Sequence, residues 1–248
     1  MTQHERPLRF FKSVDTPCSY LPGRQASSVY ANPDEPLDAD LYDLLLHQGF
    51  RRSGELIYRP DCKDCDACIP VRLRIADFTP ARRHKRTLAR NADISLSVAR
   101  PQLTEEYFTL YSRYLQAQHP GGGMDEHDEQ AFRDFLVTDS LESRFVELRD
   151  AGQQLLAVAV TDVVSDGLSC VYTFYDPAQN KRSPGVLAIL QQIELARAAG
   201  LPYLYLGYWI SDCRKMAYKK DYQPLEYFTG EPGWLDAAAI AAGALDDQ

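Results

Sequence analysis

Three strand patterns joined by two tight-turn signals, then one helix and one further strand, constrain this chain more than any other feature of its sequence. Residues 144–149, 154–164 and 168–175 carry the strand patterns, and Asp150-Ala151-Gly152 and Asp166-Gly167 between them are hairpin signals. After Asp176-Pro177 the period changes to that of a helix over 184–199, closed by Gly200, and PYLYLGYWI follows at once as a strand. Upstream, Ile94, Leu96 and Val98 alternate as a strand. Thr104-Glu105-Glu106 opens an amphipathic helix whose aromatic face includes Tyr107, Tyr111 and Tyr114. The loop HPGGGMDEHD and a second helix, from about Glu129 to Val137, complete an order of β-α-α-β-β-β-α-β over 94–230, with a short helix and strand after it.

The N-terminal third reads differently. Residues 38–48 predict a short helix capped by Asp38, with Leu41, Leu44 and Leu45 on one face and Gly49 at its end. FRRSGELIYRP reads as strand, Ser-Gly turn, strand. In IPVRLRIADF, Ile69, Val71, Leu73 and Ile75 alternate with Arg72 and Arg74, which predicts a half-buried strand with arginine on its exposed face. Thr79-Pro80 then starts a basic helix. Four of the six cysteines, Cys18, Cys62, Cys65 and Cys68, lie in this third, while Cys170 sits in an apolar strand and reads as a core residue. In a cytosolic chain such clustering points to a metal or redox role before disulfides. These changes divide the chain into a cysteine-bearing, basic unit over 1–93, a second unit over 94–235, and an acidic, alanine-rich tail over 236–248 that should fray.

The start of the chain is polar, and no run approaches the roughly 20 apolar residues of a membrane span, so a soluble, cytoplasmic protein with no membrane partner is expected. The net charge of -8 disfavours a polyanionic partner only if it is spread evenly. Between Arg72 and Arg90 seven Lys or Arg residues (Arg72, Arg74, Arg82, Arg83, Lys85, Arg86, Arg90) stand against one acid, Asp77. Phosphate contacts are short-ranged at cellular salt, so this run suits either a polyanion or a solvated helix face.

The order over 94–230 resembles that of the Gcn5-related N-acetyltransferase (GNAT) fold, in which a mostly antiparallel sheet splays at one parallel pair and admits an acyl donor. The expected class is therefore α+β: a GNAT-like mixed, mostly antiparallel sheet flanked by helices, with a smaller cysteine-containing N-terminal α/β unit. In that fold the turn after the fourth strand binds donor phosphate at a helix N-terminus. Here the turn is Lys181-Arg182-Ser183-Pro184-Gly185-Val186-Leu187. Arg182 and Gly185 fit the Q/R-x-x-G-x-G/A pattern of CoA-using members, but Leu187 takes the second small-residue position, where its bulk should obstruct a pyrophosphate. A phosphate near a tRNA 3′ end remains compatible. Aromatics crowd the strands that would flank the splay: Tyr172, Phe174 and Tyr175 on one, Tyr203, Tyr205, Tyr208 and Trp209 on the other. Most strand aromatics are core; the functional alternative is a stacking wall for an adenine or an aminoacyl side chain, with Tyr172 and Tyr208 as its candidates.

FYDPAQNKRSPGVLAILQQIELARAAGLPYLYLGYWISDCRKMAYKKDYQPLE resembles the C-terminal signature of the arginyl-tRNA–protein transferases. GFRRSGELIYRPDCKDCDACIPVRLRIADFTP with RRHKRTLARN resembles the same family's N-terminal signature, so the likeness runs from about Cys18 to about Phe228. The short length and the run Cys62, Cys65, Cys68 are most similar to the family's bacterial, leucyl-transferring branch. The resemblance implies transfer of leucine from leucyl-tRNA to the N-terminal amine of proteins beginning with Asp or Glu, which marks them for N-degron proteolysis. Arginyl transfer is a close variant; a CoA-dependent N-acetyltransferase and a non-catalytic tRNA- or metal-binding module are the rival classes. Some arginyl relatives bind zinc or an iron–sulfur cluster, and Cys18, Cys62, Cys65 and Cys68 could supply four thiolates for either, although Leu21 stands where those relatives complete a C-x-x-C.

An aminoacyl ester is already activated, so the chemistry requires no cofactor and no enzymic nucleophile, and the chain shows no Ser/His/Asp arrangement. The expectation is direct attack by the acceptor amine, with backbone N–H groups near Phe174, Tyr175 and Asp176 holding the oxyanion and His119 as a candidate proton acceptor. Arg214, Lys215 and Lys219 are the candidate cations for an acidic acceptor. Arg82, Arg83, Lys85, Arg86 and Arg90, with Arg182, are the candidates for tRNA.

Overall fold

In the computed structural model, which describes residues 8–35, 38–118, 128–231 and 233–241, most predicted strand runs join one eight-stranded sheet, and the two strands of FRRSGELIYRP join a separate four-stranded one. The chain begins with β1 (Phe10–Lys12), β2 (Thr16–Pro17), β3 (Gln25–Ala26), β4 (Ser28–Ala31), α1 (Ala39–His47), β5 (Arg51–Ser53) and β6 (Leu56–Pro60). It continues through β7 (Ile69–Arg74), α2 (Arg82–Arg90), β8 (Ser95–Ala99), α3 (Glu105–Gln118) and α4 (Glu129–Leu136). Then come β9 (Ser143–Arg149), β10 (Leu155–Val164), β11 (Gly167–Tyr175), α5 (Pro184–Ala198), β12 (Tyr203–Trp209), α6 (Arg214–Ala217), β13 (Leu225–Phe228), β14 (Trp234–Asp236) and α7 (Ala237–Ala241). Among the described residues no helix is long and apolar enough to cross a membrane.

The large sheet runs β14-β13-β7-β12-β11-β10-β9-β8. Hairpins make β9, β10 and β11 antiparallel neighbours. Helix α5 then carries the chain back along the sheet, so β12 pairs parallel to β11, the single parallel pairing among the described strands. This is the expected mixed, mostly antiparallel sheet. The parallel pairing covers only Gly167↔Tyr203, Leu168↔Leu204 and Ser169↔Tyr205, although β11 runs on to Tyr175 and β12 to Trp209. The strands therefore part beyond Ser169. Bulges bend strands, and the register shifts at this level in both neighbours, between Val160 and Thr161 in β10 and between Tyr205 and Gly207 in β12. Gly207 takes φ +80°, a left-handed conformation that suits glycine at such a bend.

Strand β7 lies between β12 and β13 and pairs antiparallel with both. The division of the chain at 93/94 is thus crossed by one sheet, which takes strands from either side of it. Arg72 on β7 was expected on an exposed face, yet it is buried: the β13–β14 hairpin covers that face. Its guanidinium lies over the rings of Tyr203 (3.7 Å) and Trp234 (4.6 Å), and Nε donates to Glu226 Oε2 at 2.7 Å. Of the tail expected to fray, Asp236 ends β14 and residues 237–241 form α7.

Helices cover both faces of the sheet. On one, Leu115 of α3 and Phe132 and Leu136 of α4 pack with Phe145 and Phe174, whose rings meet edge to face. On the other, Leu187 and Ala188 of α5 pack against Val146, Leu148 and Ala157. Each such buried leucine, valine or phenylalanine contributes about 1.5–3 kcal/mol. The N-terminal arm is clamped to the first face by a wholly buried ion pair. Arg52 Nε donates to Asp162 Oδ2 at 2.6 Å and Nη2 to Oδ1 at 2.7 Å, while Tyr42 Oη donates to Oδ2 at 2.9 Å.

Candidate active site

Parting strands leave ladder carbonyls without their usual partners, and buried carbonyls must be satisfied. Two side chains do this in the gap between β11 and β12. Arg51, delivered by β5, donates through Nη2 to Cys170 O on β11 and through Nη1 to Ser169 Oγ at 2.9 Å. Lys219 Nζ, from the turn after α6, donates to Tyr208 O on β12 at 2.5 Å and lies 3.4 Å from Met216 Sδ. Arg51 is 7 % and Lys219 6 % exposed. Burial, and then repulsion from Arg51, lower the Lys219 ammonium to about 7. Burial pushes the Cys170 thiol up to about 12 in the same place, against the pull of Arg51 and Lys219.

Tyrosines wall the gap. Tyr172 on β11 meets Tyr114 (6.1 Å between centroids) and Phe135 (5.0 Å) edge on, and Tyr114 meets Tyr175 at 4.8 Å. The hydroxyls of Tyr172 and Tyr222 and the indole N–H of Trp209 are buried without a hydrogen-bond partner. An unmet buried polar group costs about 1–3 kcal/mol; Tyr172 carries one on the α3–α4 face, and Trp209 and Tyr222 carry theirs on the α5 face.

Beside the gap a cavity of about 280 Å³ opens where α2 meets the start of α5. Arg83, Arg86 and Arg90 of α2, Ser183 before α5, and Tyr218 and Tyr222 line it. The His84 ring stacks on Tyr222 at 4.9 Å, and burial and Arg83 lower its basicity. Helix α5 runs for 15 residues, and the unpaired N–H groups of its first turn favour an anion at this end. Leu187 does not obstruct that end, contrary to the expectation from its size. It is 1 % exposed and points into the core.

The other predicted residues divide sharply. Arg82, Lys85 and Arg86 are exposed and, among the described residues, make no ion pair or side-chain hydrogen bond. Arg83 pairs with Asp221 (2.5 Å), and Arg90 donates to Lys181 O. Arg182 turns away onto Asp93 in a bidentate pair at 2.8 and 2.9 Å, so its charge is already matched. Arg214 and Lys215 are exposed on α6. Tyr208 belongs to the packing rather than to a stacking wall: it is buried and its hydroxyl donates to Gly49 O at 3.1 Å. His119 lies outside the described residues.

Of the three proposed oxyanion donors, one keeps that orientation. The Asp176 N–H donates to Leu156 O at 2.9 Å, and its carboxylate caps the following turn through Ala178 N and pairs with Arg113. Successive strand residues aim their N–H groups to opposite sides, so Phe174, wholly buried in the core, also faces β10. Of the three, the Tyr175 N–H alone points away from β10, toward the gap.

The four candidate metal-ligating cysteines lie close enough to influence one another. Cys62 and Cys65 face each other across an isolated bridge, Cys18 Sγ accepts from the N–H groups of Tyr20 (3.5 Å) and Leu21 (3.4 Å), and Cys62 Sγ donates to Ser27 O at 3.6 Å. Burial, and then the neighbouring thiols Cys62, Cys18 and Cys65, push Cys68 up to about 12. Among the described residues no three His, Cys, Asp or Glu side chains converge on one ion position.

Arg51, Tyr218 and Tyr222 were not singled out from the sequence. The single signal for Arg51 was an arginine pair in a short strand pattern, and periodicity does not say which arginine is buried.

Residues 106–229 match the family described as arginine-tRNA-protein transferase, C terminus, and residues 16–86 its N terminus. A Pseudomonas fluorescens (strain SBW25) protein named aspartate/glutamate leucyltransferase is 48% identical over 226 residues, covering 91% of this chain and 95% of the relative. An Alcanivorax borkumensis protein of the same name is 49% identical over 219 residues, covering 88% and 90%. Among solved structures, L-PGS from Bacillus licheniformis aligns over 58% of this chain and 46% of its own at 11% identity and a TM-score of 0.43, too distant to inform this site.

Proposed function

The chain belongs to the arginine-tRNA-protein transferase family, and on that premise we propose that it moves leucine from leucyl-tRNA to the N-terminal amine of proteins beginning with aspartate or glutamate. It is an aminoacyltransferase. The observation that carries the donor half is the basic cavity at the start of α5, beside the parted strands. In a chain of net charge -8, exposed Arg86, the α5 N-terminus and an unmet Tyr222 hydroxyl surround about 280 Å³. That size, near the lower end of ordinary ligand pockets at roughly 300 Å³, suits one terminal nucleotide. The acceptor stem would then run over exposed Arg82 and Lys85.

The chemistry asks for placement more than activation. The neutral fraction of the acceptor amine, whose free pKa is about 7.7–8.0, attacks the ester carbonyl carbon. The Tyr175 N–H donates to the oxygen that gains charge, the bond from carbon to the ribose oxygen breaks, and the proton lost by the amine ends on that oxygen. Donor and acceptor both place the reaction in the cytoplasm.

The test offers labelled leucyl-tRNA and arginyl-tRNA separately to peptides that begin with Asp, Glu or Ala. Leucine should pass to the Asp and Glu peptides and not to the Ala peptide. Transfer from neither donor would overturn the reading, and transfer of arginine alone would reassign the donor.

A further inference from the structure

Four lysine or arginine side chains are buried among the described residues: Arg51, Arg52, Arg72 and Lys219. Removing a cation from water costs several kcal/mol, and proteins offset this with a carboxylate. Two of the four follow that rule. Arg52 is matched by Asp162 and Arg72 by Glu226. Arg51 and Lys219 are buried just as deeply, repel one another, and have no carboxylate partner among the described residues. They are also the two that stand in the gap between β11 and β12.

We propose that Arg51 and Lys219 form the receptor for the side-chain carboxylate of the acceptor's first residue. This rests on the reading of the chain as a transferase for acidic N-termini and assigns that selectivity to two residues. Their anchoring suits the task. Arg51 is held by a carbonyl of β11 with its guanidinium against Gly207 of β12, and Lys219 is held by a carbonyl of β12, so both cations stand between the two strands. An ammonium has three N–H donors; Tyr208 O and Met216 Sδ take two, and none of the described residues takes the third. The guanidinium likewise keeps donors beyond those given to Ser169 and Cys170.

The position is right for the reaction as well. Tyr218 lines the donor cavity, and Lys219, the next residue in the chain, turns its side chain inward onto Tyr208 O. In Asp and Glu the α-amine is only a few bonds from the side-chain carboxylate. Asparagine and glutamine have the same shapes but leave both cations unmatched, and an unmatched buried charge rejects a ligand far more strongly than an exposed one does. Arg214 and Lys215, solvated on α6, lack that leverage.

The experiment uses the full chain and peptides that differ only at the first residue, Asp against Asn and Glu against Gln. Direct peptide binding is measured without tRNA, and kcat/KM with leucyl-tRNA. The unmodified protein should bind the acidic peptide at least about tenfold more tightly than its neutral isostere. Lys219→Met and Arg51→Gln should each erase most of that ratio by raising KM for the acidic peptide, while leucyl-tRNA binding stays put. Lys219→Arg, which keeps the charge, should retain part of it. Equal binding of Asp and Asn peptides by the unmodified protein would overturn the proposal without needing any variant to fold, and so would a folded Lys219→Met that keeps the ratio. Absence of leucine transfer by the unmodified protein would instead refute the donor assignment, and the binding comparison would still decide the receptor.

Discussion

Replacing Asp162 by alanine leaves Arg52 buried with only Ser143 Oγ and Gly54 O, each at 3.2 Å, in place of a bidentate carboxylate. Neither member of the pair has any exposed side-chain surface, so water cannot take over. Breaking one partner of such a pair costs about 3–5 kcal/mol, and the Tyr42 hydroxyl loses its acceptor at the same time. In a chain of 248 residues each kcal/mol moves Tm by about 2–4 °C, so Asp162→Ala should melt roughly 6–20 °C lower. Removing both charges with Arg52→Met and Asp162→Leu replaces the pair by apolar volume and should cost less than the single change does. Urea unfolding of the unmodified protein, Arg52→Met, Asp162→Leu and the double variant measures the cycle, with unchanged m-values required. A loss under about 1 kcal/mol for Asp162→Ala, or a double variant that equals the sum of the singles, would refute the reasoning. The same clamp sets β5, so Asp162→Ala should also raise KM for acidic peptides by displacing Arg51, and the double variant should recover part of it.

Arg86→Ala should weaken leucyl-tRNA binding and reduce the slope of log affinity against log salt by about 0.7, the loss of one single-strand phosphate contact. Arg182→Ala should leave that slope nearly unchanged, because Asp93 already matches its charge; equal losses in the two variants would refute the assignment. The hydrogen bond to Asp166 raises His47, and the same bond, against the burial that would raise Asp166, holds that carboxyl low. The raised histidine stabilises fully below its unfolded value of about 6.5 and loses this as pH rises through its folded value. The Tm gap between the unmodified protein and His47→Gln should therefore shrink as pH rises above about 6.5; a gap constant from pH 6 to 9 would show that the pair contributes nothing.

Local periodicity carried the elements well. The patterns at 144–149, 154–164 and 168–175 are β9, β10 and β11 within one residue at each end, and the helix expected over 184–199 is α5. Periodicity reports which residues share a face, and it is silent on which strand lies alongside. So Arg72 looked solvated until β13 and β14 folded over it, and β7 gave no sign of its place between β12 and β13. The basic run was legible as a run, but whether each charge is free depends on distant acids, Asp93 for Arg182 and Asp221 for Arg83. Lys219 stood among candidate cations without any hint of its burial, because a short turn of mixed polarity has no face to read.

The place of β7 also sets a timetable for synthesis. Its partners in the sheet, β12 and β13, end about 150 residues later, so at about 5–20 residues per second the strand waits roughly 8–30 s for them. During that interval a nascent chain carries an apolar strand with both edges open, the condition that invites misassociation. Its alternate residues Arg72 and Arg74 act there as gatekeepers, keeping like strands apart until Glu226 arrives to accept them.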